Sequence, residues 1–306
     1  MDTKQILKKT LSVSGLKYVE MFSFSCGNTV PVYYVSSMHA LNQVIGYAKF
    51  INKEYGEVLY RGENKLHPGL IPSLFRGCTG TTKWNVVSPL VNKIIRDASI
   101  RDAINVGKDL KRARNKVEGM LQHYGVQTRY IDLVDNHWIA LWMGLFECKK
   151  AKRIEMYYHY SRRCIDALDA FDGTTHSKDD LYQYILLLAL PKPDESIEGI
   201  ELSKSFIVVD LRQALPSVFL RPHSQHGFVA RKKPTVNQLA AEYDMATEVI
   251  GILRIRIDRA SAWLGEGHLL SQDNLFPSPM NDYGYDLLLN LPNDFFPEDY
   301  SIAKYV

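Results

Sequence analysis

Part-way along this chain the apolar residues change their spacing, and that change limits what it can fold into. Met38, Leu41, Val44, Ile45, Ala48 and Ile51 recur at steps of three and four, which puts one apolar stripe on a helix. Ser36 or Ser37 can cap that helix at its start, and Gly56 can stop it. Ser88 to Tyr124 reads as mostly helical, with one stripe of Leu90, Val91, Ile94 and Ile95 and another of Val117, Met120 and Leu121. Asn136 can cap a further helix to about Cys148, apolar nearly all round and therefore central. Later the pattern shortens. Leu181–Leu190, Ser205–Val209, Val218–Leu220, Phe228–Arg231 and Gly251–Ile257 read as strands. Helices early and strands late give an α+β fold, a mixed and largely antiparallel sheet with helices concentrated in the first half.

The N-terminal part has its own plan. The segment to about Gly15 reads as a short helix with Ile6, Leu7 and Leu11 on one side. Tyr18–Ser25 and Val30–Val35 read as strands joined by a hairpin turn at Cys26-Gly27-Asn28. Glu57–Arg61 is a short strand, and Leu66–Phe75, with two prolines and a glycine, is a loop or edge segment.

Composition excludes several function classes. The 306 residues carry 37 Lys and Arg against 34 Asp and Glu, a net charge of +3, so global charge does not drive nucleic-acid binding. The most apolar stretch, Trp138–Phe146, is far short of the roughly 20 residues of a membrane span. The start lacks a continuous apolar run, so no secretory leader is expected. The four cysteines are widely spaced and form no C-x-x-C pair, as in a reduced cytoplasmic chain. There is no G-x-G-x-x-G, Walker loop, H-E-x-x-H or G-x-S-x-G, and the nine histidines show no metal spacing.

Four segments carry chemistry. In Tyr60-Arg61-Gly62-Glu63 an arginine ends a strand beside a glycine, so its guanidinium fork can meet a phosphate while the backbone stays close to a ligand. A salt bridge beside a turn glycine is the plain alternative. In Gln122 through Asp132, His123 and Tyr124 end a helix at Gly125, and Thr128, Arg129 and Asp132 follow. That set suits either an anion site or a buried network that locks the helix end to the sheet. In Phe219 through Phe228 two imidazoles, His223 and His226, sit with the Ser224 hydroxyl and the Gln225 amide within four residues, so acid–base work is chemically possible, although polar turns are common for structural reasons. Asn274-Leu275-Phe276-Pro277 reads as a structural closure.

Together these segments resemble the FRG domain, a family named for a Phe-Arg-Gly tripeptide. Leu59-Tyr60-Arg61-Gly62 matches its opening and Pro72-Ser73-Leu74-Phe75-Arg76 the next motif. Gln122 through Asp132 matches Q-H-Y-G-x-x-T-R-x-x-D, and Ala140-Leu141-Trp142 is similar to its A-L-x-F helix. Gln225-His226-Gly227-Phe228 and Leu275-Phe276-Pro277 match its late motifs. The resemblance runs from about Glu57 to Asp286, which implies a domain over residues 57–306 with residues 1–56, hairpin and helix, packed on it as an extension. Members of the family occur in bacteria and phages, in settings of toxicity or anti-phage defence. A weaker similarity links Tyr60-Arg61-Gly62 to R-S-E ADP-ribosyltransferases, whose strand arginine holds the NAD phosphates. This chain has no S-T-S strand and no E-x-E or Q-x-E turn. Gln225-x-Gly227 stands where a catalytic Glu belongs, and Glu63, Glu147 and Glu242 are the substitutes on offer.

Three functions follow as expectations. The first is a defence effector or toxin that binds NAD or another nucleotide and transfers or cleaves ADP-ribose, like an ADP-ribosyltransferase or NAD glycohydrolase. Its catalytic candidates are His123, Gln225 and His226. Its ligand-binding candidates are Tyr60, Arg61, Gly62, Tyr124, Thr128, Arg129 and Asp132. The second is a non-enzymatic sensor that binds a phage or host protein through the N-terminal extension. The third, least favoured, is nucleic-acid binding through Lys111-Arg112-Ala113-Arg114, Arg162-Arg163 and Arg231-Lys232-Lys233, with Tyr157, Tyr158 and Tyr160 beside Arg153 and Arg162.

Overall fold

A computed structural model of the chain describes residues 3–76, 84–105, 107, 109–152, 156–164, 178–233, 240–297 and 300–305. Cys78 and Arg153 fall outside these residues, as do positions 106 and 108 of the long helical stretch.

The expected fold class is the observed one: a mixed α/β structure around a ten-stranded, mostly antiparallel sheet. The strands are β1 (Leu16–Ser23), β2 (Thr29–Val35), β3 (Gly56–Glu63), β4 (Ile131–Val134), β7 (Tyr182–Pro191), β8 (Glu195–Ile197), β9 (Ile200–Leu202), β10 (Phe206–Asp210), β11 (Gly227–Lys232) and β12 (Val249–Arg256). Their order across the sheet is β1-β2-β12-β7-β3-β4-β11-β10-β9-β8. Among the described residues of this sheet, only β12 and β2 pair in parallel. A second sheet, ordered β13-β6-β5, is built from β5 (Phe146–Lys152), β6 (Met156–Arg162) and β13 (Lys304–Tyr305). The helices of the first half are α1 (Met38–Asn52), α2 (Trp84–Arg96), α3 (Ala98–Ala103), α4 (Leu110–His123) and α5 (His137–Leu145). Among the described residues, every helix longer than seven residues ends by Leu145.

The large sheet buries both faces. On one face α1 and α5 cover Tyr33, Val58, Tyr60, Ile185, Leu187 and Leu253. Further along, α2 and α4 cover Ile207, Val209 and Val229. The opposite face carries Val32, Leu59, Leu133, Leu186, Leu188, Val208, Phe228 and Ile252, which pack into one cluster with Leu70 and Met245. Residues from β2 through β10 belong to this one core. With both faces covered, β7 is apolar at every interior position from Tyr184 to Leu190, and alternation is absent from its sequence.

Four sequence readings need correction. The helix capped by Asn136 does not run to about Cys148 but ends at Leu145, because β5 starts at Phe146 and pairs with β6. Residues 3–15 form no helix. Lys4 pairs with Glu248, and Leu7 lies buried with its N–H on the Ile250 carbonyl, 3.0 Å away. The apolar side chains there serve a strap across β12. Val218–Leu220 is not a strand either, because Leu220 begins a short helix, Leu220–Ser224. Gly56 does not stop α1, which ends at Asn52. It opens β3, where a Cβ would lie 2.0 Å from the Leu190 carbonyl oxygen. Ser37 does cap α1, its side chain accepting from the Ala40 N–H, and Asn136 caps α5 by accepting from the Trp138 N–H.

Candidate functional site

β3 and β4 are neighbours in the sheet, yet one residue pair, Tyr60 with Val134, registers between them. Beyond that pair the strands part. A cavity of about 640 Å³ opens there, between the ends of β3, β4 and α4 on one side and the second sheet on the other. Tyr60, Arg61, Gly62, Glu63, Gln122, His123, Asp132 and Gln225 line it.

The helix end is set by backbone geometry. Gly125 has φ +93, the Val126 N–H reaches the Leu121 carbonyl (2.9 Å) and the Gly125 N–H reaches that of Gln122 (3.1 Å). This is a Schellman stop, and it requires a glycine at that position. It leaves Gln122 and His123 in the last turn, facing β4. Thr128 donates to the Gln122 side-chain oxygen (2.7 Å), and the Gln122 amide donates to Asp132 Oδ2 (2.8 Å). The relay fixes the Gln122 amide and the Asp132 carboxylate together.

Asp132 faces His123, whose Nδ1 lies 3.6 Å from Oδ1, an electrostatic contact longer than a hydrogen bond. Burial pushes the Asp132 pKa up, but His123, Arg61 and Gln122 outweigh it and hold the carboxyl below its ordinary range. The Asp132 side chain is 42% exposed, yet its Oδ1 is covered and has no hydrogen-bond partner. The His123 Nε2 is likewise buried and unpartnered. The imidazole rests on Gly227, where a Cβ would lie 2.6 Å from Cε1.

Arg61 bridges the crevice. Its Nε donates to Glu63 (2.6 Å), and NH1 crosses to the Asp132 backbone carbonyl (2.8 Å). Burial disfavours the cation, but Glu63 and Asp132 more than compensate and raise its pKa. Arg76 lines the same cavity, and its pKa is lowered by burial and then by the Arg61 charge. With Lys150, three cations face two carboxylates in the cavity wall. The opposite wall is aromatic: Tyr158 and Tyr160 of β6, Phe276, and Tyr305 of β13.

Six of the ten candidate residues thus line one cavity: Tyr60, Arg61, Gly62, His123, Asp132 and Gln225. Gly62 serves α5 packing, since a Cβ would lie 1.9 Å from the Ala140 carbonyl oxygen. Gln225 donates to the Leu275 carbonyl (2.6 Å), tying the Leu275-Phe276-Pro277 closure to the site. The other four lie elsewhere. Tyr124 is buried and donates to Asp282 (2.7 Å). Thr128 is buried behind Gln122. Arg129 forks onto the buried Glu118 at 3.0 and 2.6 Å. His226 (φ +50) sits with Asp135 and Arg212 in a separate polar cluster. Of the three candidate glutamates, only Glu63 lines the cavity.

Sequence reasoning did not select Arg76, Gln122, Lys150 or Tyr305 as site residues. Arg76 and Gln122 were detectable, because both stand inside the matched motifs. Lys150 and Tyr305 reach the cavity only through the pairing of the second sheet. The basic runs meet partners of their own: Arg163 donates to three backbone carbonyls, Arg112 pairs with Glu195, and Arg231 is buried.

Among the described residues no helix is long and apolar enough to cross a membrane, and no group of three His, Cys, Asp or Glu could hold a metal. No curated protein and no solved structure matches the chain. The sequence model of the FRG domain matches residues 56–153, the stretch from β3 to the end of β5 that supplies Arg61, Arg76, His123 and Asp132. That match ends before Gln225 and the Leu275-Phe276-Pro277 segment. Residues 56–153, about a third of the chain, are thus similar to the FRG domain family.

Proposed function

We propose that the cavity binds a nucleotide of the NAD class and that the protein cleaves or transfers its ADP-ribose. One observation carries this reading: Arg61, Arg76, Glu63 and the His123–Asp132 pair share a single cavity with a wall of tyrosines. Its volume of about 640 Å³ lies within the usual range for small-molecule sites, roughly 300–1,000 Å³. The two guanidinium groups suit a pyrophosphate: the Arg76 pKa is lowered first by burial and then by the Arg61 charge, and an anion between them relieves the second of these. Tyr158 and Tyr160 offer ring faces to a base or a nicotinamide.

In the reaction the glycosidic C–N bond breaks and its electron pair leaves with nicotinamide. Positive charge then develops on the ribose. Glu63, held by Arg61, is the carboxylate placed to stabilise it. Water or an acceptor group attacks the ribose carbon and gives up a proton, for which the Asp132 carboxylate, partly exposed and held beside His123, is the base. In a cell such an enzyme acts as a toxin or anti-phage effector by consuming NAD or modifying a target.

Purified protein incubated with NAD, alone and with lysate, tests the reading. Nicotinamide release or ADP-ribose labelling is expected from the wild type, with a loss of about 100-fold or more for Glu63→Gln. The reading fails if wild-type protein yields neither product, or if Glu63→Gln and Arg61→Ala match it.

A further inference from the structure

Arg221 is fully buried, yet its Nε, NH1 and NH2 have no hydrogen-bond partner. Rings surround it instead. Its guanidinium carbon lies 4.5 Å from the ring centres of Tyr285 and Tyr305, 4.6 Å from Tyr124 and 5.4 Å from Phe276. A desolvated cation gains from such ring faces, but its in-plane N–H groups still go without acceptors. An apolar side chain of the same length would fill this box at less cost to stability. The charge therefore calls for an explanation other than packing.

Two of the four rings, Phe276 and Tyr305, also line the cavity. Each of these two rings touches both the buried Arg221 and the cavity. Tyr160 continues the column, stacked on Tyr305 at 6.0 Å and 9°. The buried counter-charge is Asp282, which accepts from the Arg221 backbone N–H (3.0 Å), the Tyr285 N–H (2.9 Å) and the Tyr124 hydroxyl (2.7 Å). Arg221 lowers the pKa of both Tyr160 and Tyr305 and Asp132 raises both, while Asp282 is not among the main influences on either. Burial outweighs Arg221 and raises both, so their hydroxyls stay protonated and can donate.

From this arrangement we infer that the Phe276–Tyr305 end of the cavity extends the anion site of Arg61 and Arg76 and takes part of the same phosphate or pyrophosphate group, with Arg221 acting through those two rings. An anion on a bare aromatic face is repelled by the ring. A cation against the opposite face reverses that preference, and in a water-poor interior its field is weakly screened. Arg221 never touches the ligand and is a positioning residue. The inference rests on the proposed use of the cavity but not on the identity of the nucleotide.

Calorimetric titration with inorganic pyrophosphate, and with adenosine as a neutral ring probe, tests it on the full chain. Arg221→Met is expected to weaken pyrophosphate binding about tenfold and to leave adenosine binding unchanged. Arg221→Lys is expected to restore most of the pyrophosphate affinity, which a purely structural role would not require. If the methionine variant does not fold, Arg221→Gln is measured in its place. The inference is overturned if wild-type protein does not bind pyrophosphate, if the neutral variant binds it equally well, or if both probes weaken together. Binding of pyrophosphate without binding of NAD would overturn the nucleotide reading and leave the subsite standing.

Discussion

Gly227 lacks a side chain because the His123 imidazole fills the space one would need. A methyl group there overpacks a buried ring, so Gly227→Ala should cost about 1–3 kcal/mol in urea denaturation. A change below about 0.5 kcal/mol would mean that the imidazole moves freely, against its placement beside Asp132. Asp132 sets a pH dependence. Its folded pKa is depressed, so the stability it contributes is present above the unfolded aspartate pKa of about 3.9. That contribution is lost as pH falls through the lower folded value. The stability gap between wild type and Asp132→Asn should therefore shrink from pH 5 towards pH 2. A constant gap would show that the carboxylate gains nothing from its neighbours. Because 42% of the side chain is exposed, the effect is small and screened. At this scale the motifs were readable where one residue type has one job. Arg61 and Asp132 were found because each stands inside a motif, one with a glycine after it and one a few residues beyond a helix stop. Tyr124 and Arg129 looked the same on paper and differ only in which way they face, and that is decided by the buried Asp282 and Glu118, far off in sequence or a turn back along α4.

α4 is docked by such a buried ion pair. Glu118 is 0% exposed and holds Arg129 at 2.6 Å, and it also accepts from the Arg129 N–H (3.2 Å). Burial disfavours the Arg129 cation, and Glu118 more than compensates. Removing one partner strands the other, so Glu118→Ala should cost about 3–5 kcal/mol by denaturant unfolding. The double change Glu118→Leu with Arg129→Met should recover much of that loss and leave ligand binding intact. Loss of ligand binding in a folded double variant would return Arg129 to the site. α5 depends on its cap, and Asn136→Ala should cost about 1 kcal/mol in the same measurement. The long helices were legible because their stripes and caps are local. β4 was not, since Ile131-Asp132-Leu133-Val134 is four residues long and its alternation is too brief to read. β5 was absorbed into the preceding helix because Trp138–Phe146 is apolar without a break, and only pairing with β6 separates them. The first fifteen residues misled for a related reason: their apolar spacing suits a helix, but β12 offers a surface along which an extended strap can lie.

Across the whole molecule, the ten strands form one sheet with an uneven distribution of joints. β3 and β7 register over eight residue pairs, whereas β3 and β4 share one. Loss of ladder hydrogen bonds at the second joint makes it the weakest line across the sheet. Amides of β4 and of the end of β3 should exchange faster than those of β7, and ligand should slow them; equal exchange in all three would contradict the weak joint. The FRG match ends in the middle of this architecture, yet its β3 and β4 lie on either side of that joint. The sheet thus behaves as two leaves of a book bound by a single stitch, with Arg61 as a thread laid across the gutter. A molecule seated in the gutter would bear on that stitch and that thread first, before any other part of the sheet.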